Sequence, residues 1–188
     1  MLNIHFRELE TPRLVLRKLT IADLPLYYSR LASSHVVTEH MLWKPHTCLA
    51  ESEASIQKAI ARYEDGSSCR WVIAPKATGE LIGIIDLMPV DADSGVCTFA
   101  YMLAEAFWGQ GYGTEALKAI LSHAFANCGA SAVLADHFAE NTASGAVMRK
   151  AGMIESGILP GKYTKNNCRH DAVQYQITKD IWSTCLSR

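Results

Sequence analysis

Three glycines at alternate positions, Gly109, Gly111 and Gly113, follow a strand-like run that ends at Leu103 and open directly into a helical pattern. Glycine lets the backbone come close to a ligand and take dihedrals that other residues resist. The first turn of the helix that follows adds unpaired N–H groups and a partial positive dipole. A loop of this kind can cradle a diphosphate. It is not a lysine-armed P-loop, because no Gly-Lys-Ser/Thr run follows Gly113. Nor is it the dinucleotide fingerprint, which needs G-x-G-x-x-G; here the spacing is G-x-G-x-G, with Thr114 where the last glycine should fall. A strand–helix turn that holds no ligand is the bland alternative.

A second segment, Asn141-Thr-Ala-Ser144-Gly-Ala-Val-Met-Arg-Lys150-Ala-Gly152, reads as a short helix capped by Asn141 and closed by Gly152. Together, Trp108-Gly-Gln-Gly-Tyr-Gly-Thr-Glu-Ala116 and Asn141-x-x-Ser144-x-x-Val-Met-x-Lys150-x-Gly152 resemble two motifs of the GNAT acyltransferases. The match is to the branch that holds the ribosomal-protein N-terminal acetyltransferases (Rim-type), and it runs from Thr11-Pro-Arg-Leu-Val-Leu-Arg17 to Tyr175-Gln-Ile177. Three departures stand out: Gln110 where a Lys or Arg is usual, Met153 where an aromatic is usual, and His137-Phe-Ala-Glu140 in place of Asp-Pro-Glu.

The elements that would position these motifs alternate between strand and helix. Arg13–Leu19 alternates as a strand does, and Thr20 caps a helix reaching about Leu31. Residues 33–47 read as a loop, and Leu49–Tyr63 as a helix ending near Asp65-Gly66. Trp71–Ala74, Leu81–Met88 and Val96–Leu103 form a predicted antiparallel meander, turning at Lys76–Gly79 and Val90–Gly95. A helix Thr114–Ala126, a strand Val133–Phe138, a helix Ser144–Ala151, strands Met153–Leu159 and Ala172–Ile177, and a short helix after Thr178 complete the pattern. The expected fold class is α+β, a layered α/β/α domain spanning 1–188. The resemblance implies a mixed, mostly antiparallel sheet that splays open between its fourth and fifth strands, Val96–Leu103 and Val133–Phe138.

Composition agrees with one compact domain. The chain has 188 residues, is 49% apolar and carries a net charge of −1. It has no basic stripe, so neither nucleic acid nor an anionic membrane is an expected partner. Neither a secretion signal nor a spanning segment is legible, and a cytoplasmic location is expected. The six cysteines are scattered without a C-x-x-C pair, which points to reduced structural thiols and no metal site.

The resemblance implies acetyl-CoA as co-substrate and N-acetyl transfer to a primary amine, on a peptide N-terminus or a small molecule. The pantetheine arm would bond backbone groups near Tyr101, Met102 and Leu103, and the diphosphate would lie on the N–H groups of Gln110, Gly111, Gly113 and Thr114. Asn141 is implied as a further cofactor contact and Ser144 as the acid for the departing thiolate. Lys150 could reach a cofactor phosphate or sit solvated at the helix end. Asp136, Asp86, Glu39, His137 and Glu140 are candidates for the base; Asp136 is put first because the resemblance implies a base at its position, on the strand lining the split, in some relatives, and it shares a face with the apolar Leu134 and Phe138. Glu39, Trp43 and Asp86 are the expected acceptor contacts. Residues 33–47 carry only Glu39 against three histidines and Lys44, which disfavours a polycationic acceptor. A non-catalytic CoA- or partner-binding protein is the competing class, and a homodimer stays open.

Overall fold

Alternating apolar residues make the sheet. In Leu14-Val-Leu-Arg-Lys18 the two leucines are fully buried and the residues between them are partly exposed. The computed structural model describes residues 2–65, 67–90 and 93–186. The expected helix end at Gly66, part of the turn at Asp91-Ala92, and the Cys185 side chain lie outside what is described.

Eight strands form one sheet in the order β1-β2-β3-β4-β5-β6-β8-β7. They are β1 (Leu9–Glu10), β2 (Leu14–Lys18), β3 (Cys69–Pro75), β4 (Gly83–Pro89), β5 (Val96–Leu103), β6 (Ala132–Phe138), β7 (Ile154–Lys165) and β8 (Cys168–Thr178). Every pairing is antiparallel except β5 with β6. The short β1 precedes the strands legible in the sequence, so the expected fourth and fifth strands are β5 and β6.

Helices cover both faces. On one side a 3₁₀ turn (Ile21–Asp23), α1 (Leu24–Tyr27) and a π turn (Tyr28–Ala32) run together, followed by the loop and then α2 (Leu49–Asp65). The single helix expected from Thr20 is thus three short helical pieces. Its start is held by a reciprocal capping box between Thr20 and Asp23. Val72, Ile84 and Met102 point to this side and pack with Tyr27, Leu31 and Ile56. On the other side α3 (Tyr112–Ala126) lays Ala116, Leu117, Ile120, Leu121 and Ala124 over Trp71, Ile73 and Ile85. The helices α4 (Thr142–Lys150) and α5 (Lys179–Leu186) flank it, and Trp182 of α5 meets Phe125 of α3 at 5.3 Å.

The largest departure from the sequence reading is the β7–β8 hairpin, which runs on to Lys165 and Cys168 rather than stopping at Leu159 and resuming at Ala172. Pro160-Gly161 sits in a register shift between Leu159 and Tyr163, beyond which pairing resumes. Asn166 and Asn167 take positive φ at the tip.

The thiols behave as structure. Cys48, Cys69, Cys97, Cys128 and Cys168 are unpaired, and three of them are buried. Burial pushes Cys69 up to about 12 and Cys97 up to about 11, so neither is a thiolate at neutral pH.

Candidate active site

The parallel pair β5–β6 is joined only at Val96–Thr98 against Ala132–Leu134, and the two strands then separate. Backbone direction along β5 decides what the gap offers. Ala104 N–H reaches Ile82 and the Val96 carbonyl reaches Val90, so even-numbered residues of β5 face β4. Odd-numbered residues therefore face the gap, as the Gly95 carbonyl does where it meets Ser131 N–H. Beyond Thr98 no strand among the described residues pairs with this edge, and it presents the groups of Phe99, Tyr101 and Leu103.

Three residues were expected to bond a pantetheine arm here, and the geometry separates them. Tyr101 and Leu103 present their backbone to the gap. Met102 does not: its N–H and C=O lie on the β4 side, opposite Ile84. The Leu103 carbonyl already accepts the Trp108 indole N–H at 2.6 Å. Trp108 thereby pins the start of the glycine loop to the strand edge, a role that sequence reasoning missed.

The loop then crosses into α3. Gly109 has φ +73° and Gly111, the residue before α3, has φ +82°. Gly111 to Thr114 thus deliver a helix N-terminus, with its free N–H groups, to the open end of the gap. A cavity of about 780 Å³ runs from this loop along the split. It is lined by Tyr101, Met102, Leu103, Gly111, Gly113, Thr114, Asn141, Ser144 and Lys150, and also by Glu39, Trp43 and Asp136. Two expected site residues stand apart. The Gln110 side chain folds back to donate to the Ala106 carbonyl at 2.9 Å, and the residue does not line the cavity.

Asp86 is the clearer correction. It lies on the α2 side of β4, opposite Arg70 in the ladder, and accepts from Arg70 Nε at 2.6 Å and Nη2 at 2.8 Å. Burial opposes the guanidinium charge, and the carboxylate beside it more than offsets that opposition. A buried carboxylate needs such a partner. Asp86 is held by Arg70 and is not among the residues that line the cavity.

Ser144 sits in the first turn of α4, 8% exposed. Its N–H bonds to the Asn141 side chain at 3.2 Å, so Asn141 is the cap. The Ser144 hydroxyl is met by Tyr101 Oη at 3.4 Å. Burial raises the Tyr101 pKa, only partly countered by the bond to Ser144, so the phenol keeps its proton and donates. The serine proton is then left for another acceptor.

The far end of the cavity is aromatic and acidic, and the long hairpin builds it. Tyr163 stacks on Phe138 at 4.4 Å, and its hydroxyl donates to Asp136, which the Lys162 ammonium also grips. Lys165 donates to the carbonyls of Thr38 at 2.9 Å and Glu39 at 2.6 Å, tying the hairpin tip to the loop after α1. Glu140 pairs with His170 at 3.2 Å. Trp43 packs against His46, ring centroids 5.1 Å apart. His123 is buried far from the split, bonded to the His5 carbonyl and Asn127.

His137 points the other way along β6, under α4. Its Nδ1 meets the Phe138 carbonyl at 2.7 Å, while Nε2 is a buried side-chain atom without a partner among the described residues. A Cβ on Gly145 would stand 2.7 Å from that Nε2 and 3.2 Å from Tyr175 Oη. Gly145→Ala gains about 1 kcal/mol of helix propensity but overpacks a buried ring, which costs about 1–3 kcal/mol. The expected result is a lower Tm, read from a thermal unfolding transition. A Tm equal to or above that of the unchanged protein would show that the helix can yield there freely.

Comparison with known proteins now defines the class. Residues 13–154 match the acetyltransferase (GNAT) domain family, and the chain belongs to it. It is an N-acetyltransferase of that family. The chain is 27% identical over 174 residues to YoaA of Bacillus subtilis, an uncharacterised N-acetyltransferase, covering 93% of this chain and 98% of that one. YdaF of the same organism, named a "putative ribosomal N-acetyltransferase", is 29% identical over 104 residues, 55% of this chain and 57% of that one. The fold is shared with RimL, a ribosomal L7/L12 α-N-protein acetyltransferase solved with coenzyme A, at a TM-score of 0.84 and 20% identity over 93% of this chain and 99% of that one.

Proposed function

We propose that the split holds acetyl-CoA and a primary amine together, and that the amine attacks the thioester directly in this ternary complex. The observation that carries the reading is that one cavity joins an unpaired strand edge, a helix N-terminus with a left-handed glycine, and a buried serine whose proton is free to be given. An amide-bearing arm satisfies an open strand edge as an added strand would, here at Tyr101 and Leu103. The diphosphate fits the N–H groups of Gly111, Gly113 and Thr114, and Lys150 and Asn141 are within the same wall. The residues present thus fit coenzyme A, which supplies the thioester carbonyl and the leaving thiolate.

Ser144 then protonates the thiolate, with Tyr101 holding the hydroxyl in place. Asp136 lies at the acceptor end, where it takes the ammonium of the incoming amine or its proton. The acidic residues there are matched by donors: Lys162 grips Asp136, Lys165 bonds the Glu39 backbone carbonyl, and His170 is hydrogen-bonded to Glu140. This balance supports a single primary amine, on a peptide N-terminus or a small molecule, over a polycation. Release of free thiol from acetyl-CoA across N-terminal peptides and small amines tests the reading. Turnover with none of them, by folded protein that binds CoA, would leave a binding protein instead.

Trp43 lines the acceptor end beside Glu39, so Trp43→Ala is expected to raise KM for the amine several-fold while KM for acetyl-CoA stays near its original value. Steady-state kinetics with each substrate varied in turn checks this, and a rise confined to acetyl-CoA would place the tryptophan on the wrong side.

A further inference from the structure

The glycine loop is exposed from Gly109 to Gly111 and has little packing of its own, yet one residue nearly a hundred positions earlier surrounds it. Arg13, at the entry to β2, donates from Nη1 to the Gln110 carbonyl at 3.0 Å and from Nε to Glu115 Oε2 at 2.7 Å. Its guanidinium carbon lies 4.5 Å over the Tyr112 ring. Its Nη2 stands 3.3 Å from the point that a Cβ on Gly111 would occupy. The Glu115 carboxylate is drawn into the same knot, accepting the Arg13 backbone N–H at 2.9 Å and the Thr11 hydroxyl at 2.6 Å. The contacts therefore bracket the left-handed Gly111 from before, from after and from the first turn of α3.

We propose that Arg13, acting through Glu115 and the Gln110 carbonyl, is a positioning residue that keeps the diphosphate cradle formed before the cofactor arrives. The inference rests on the reading of the split as a coenzyme A site. Two physical effects act together. A glycine-rich loop that must be ordered on binding costs roughly 1–2 kcal/mol per residue fixed, and a clamp that orders it beforehand removes that cost from the affinity. The second effect is charge. Glu115 puts a carboxylate in the first turn of the helix whose N-terminus receives the phosphates, where unpaired it repels them. Burial alone would raise the Glu115 pKa, but the bonds from Thr11 and Arg13 hold it below the usual range, so the carboxylate stays ionised and needs Arg13 beside it. The pair brings no net charge to the phosphate site. Its contribution is shape, and the masking of a carboxylate.

Calorimetric titration with CoA of Arg13→Gln, Glu115→Gln and the double variant tests the proposal. Arg13→Gln is expected to weaken CoA about tenfold or more, equivalent to ~1.4 kcal/mol. The double variant is expected to bind no more weakly than Arg13→Gln alone, because each partner acts through the other. KM for acetyl-CoA should rise with little change in kcat or in KM for the amine. Inhibition by pantetheine, which carries no diphosphate, should be unchanged; a merely structural loss would weaken both ligands. If Arg13→Gln does not fold by its thermal transition, Arg13→Lys, which keeps the charge but loses the fork, is expected to weaken CoA in the same direction by a smaller factor. Unchanged CoA affinity, multiplicative loss in the double variant, or parallel loss of pantetheine each overturn the inference. Absence of CoA binding by the unchanged protein overturns the cofactor reading itself, and the clamp with it.

Discussion

Gly111→Val is expected to lower CoA affinity by roughly 5- to 150-fold while the protein remains folded. The φ of +82° at Gly111 lies where a β-branched residue is strained by about 1–3 kcal/mol, and 1.4 kcal/mol corresponds to a factor of ten in affinity. The added side chain also meets Arg13, whose Nη2 is 3.3 Å from its Cβ position, so the loop relieves the strain only by giving up the clamp. The neighbouring Gly113 serves as the contrast. Its φ is not in the left-handed region, and a Cβ there makes ordinary contacts with the Tyr101 ring at 3.5 Å and Val147 at 3.7 Å. Gly113→Ala should accordingly stay within a few-fold of the original affinity. Calorimetry on both variants decides the matter. Normal CoA affinity in Gly111→Val would mean that the diphosphate does not lie on this turn.

How much of this was legible beforehand follows from the range of the interactions. The meander, the helix after the glycines and the Asn141 cap are written in local spacing, and their positions hold to within a few residues. Strand alternation reveals that a residue differs from its neighbours, but not which partner it will meet. Asp86 and Asp136 look alike in sequence as charged residues among apolar ones. The fold pairs Asp86 with Arg70 under α2 and aims Asp136 into the split. Backbone direction is likewise invisible until a strand's partner is known, so Met102 could not be distinguished from Tyr101 and Leu103. The longest-range features were the least legible. Nothing local says that Tyr163 reaches Asp136 across a bulged hairpin, or that Arg13 and Glu115 meet across 102 positions. The length of the hairpin was equally illegible, because the register shift at Pro160-Gly161 breaks the strand alternation before pairing resumes.

Ser144→Ala is expected to lower kcat by roughly 10- to 100-fold with CoA affinity within about twofold. A positioned acid contributes typically ~10²–10⁴-fold. A thiolate, whose conjugate thiol has a pKa of about 8.5, leaves with less help than an alkoxide or an amide, which puts the effect at the lower end. Affinity should hold because the Asn141 cap bonds the Ser144 backbone N–H and not its hydroxyl, so α4 keeps its start when the oxygen is removed. Tyr101→Phe separates orientation from acid chemistry. It deletes the hydroxyl 3.4 Å from Ser144 Oγ but leaves the β5 backbone in place, so its loss in kcat should be smaller, and it should add little in the Ser144→Ala background. The measurement must be made where chemistry limits the rate, by single-turnover acetyl transfer with enzyme in excess. An unchanged single-turnover rate in Ser144→Ala would take the serine out of the mechanism and leave the thiolate to water. A loss of CoA affinity equal to the loss in rate would instead make Ser144 a binding residue, bonding the cofactor equally in the ground state and the transition state.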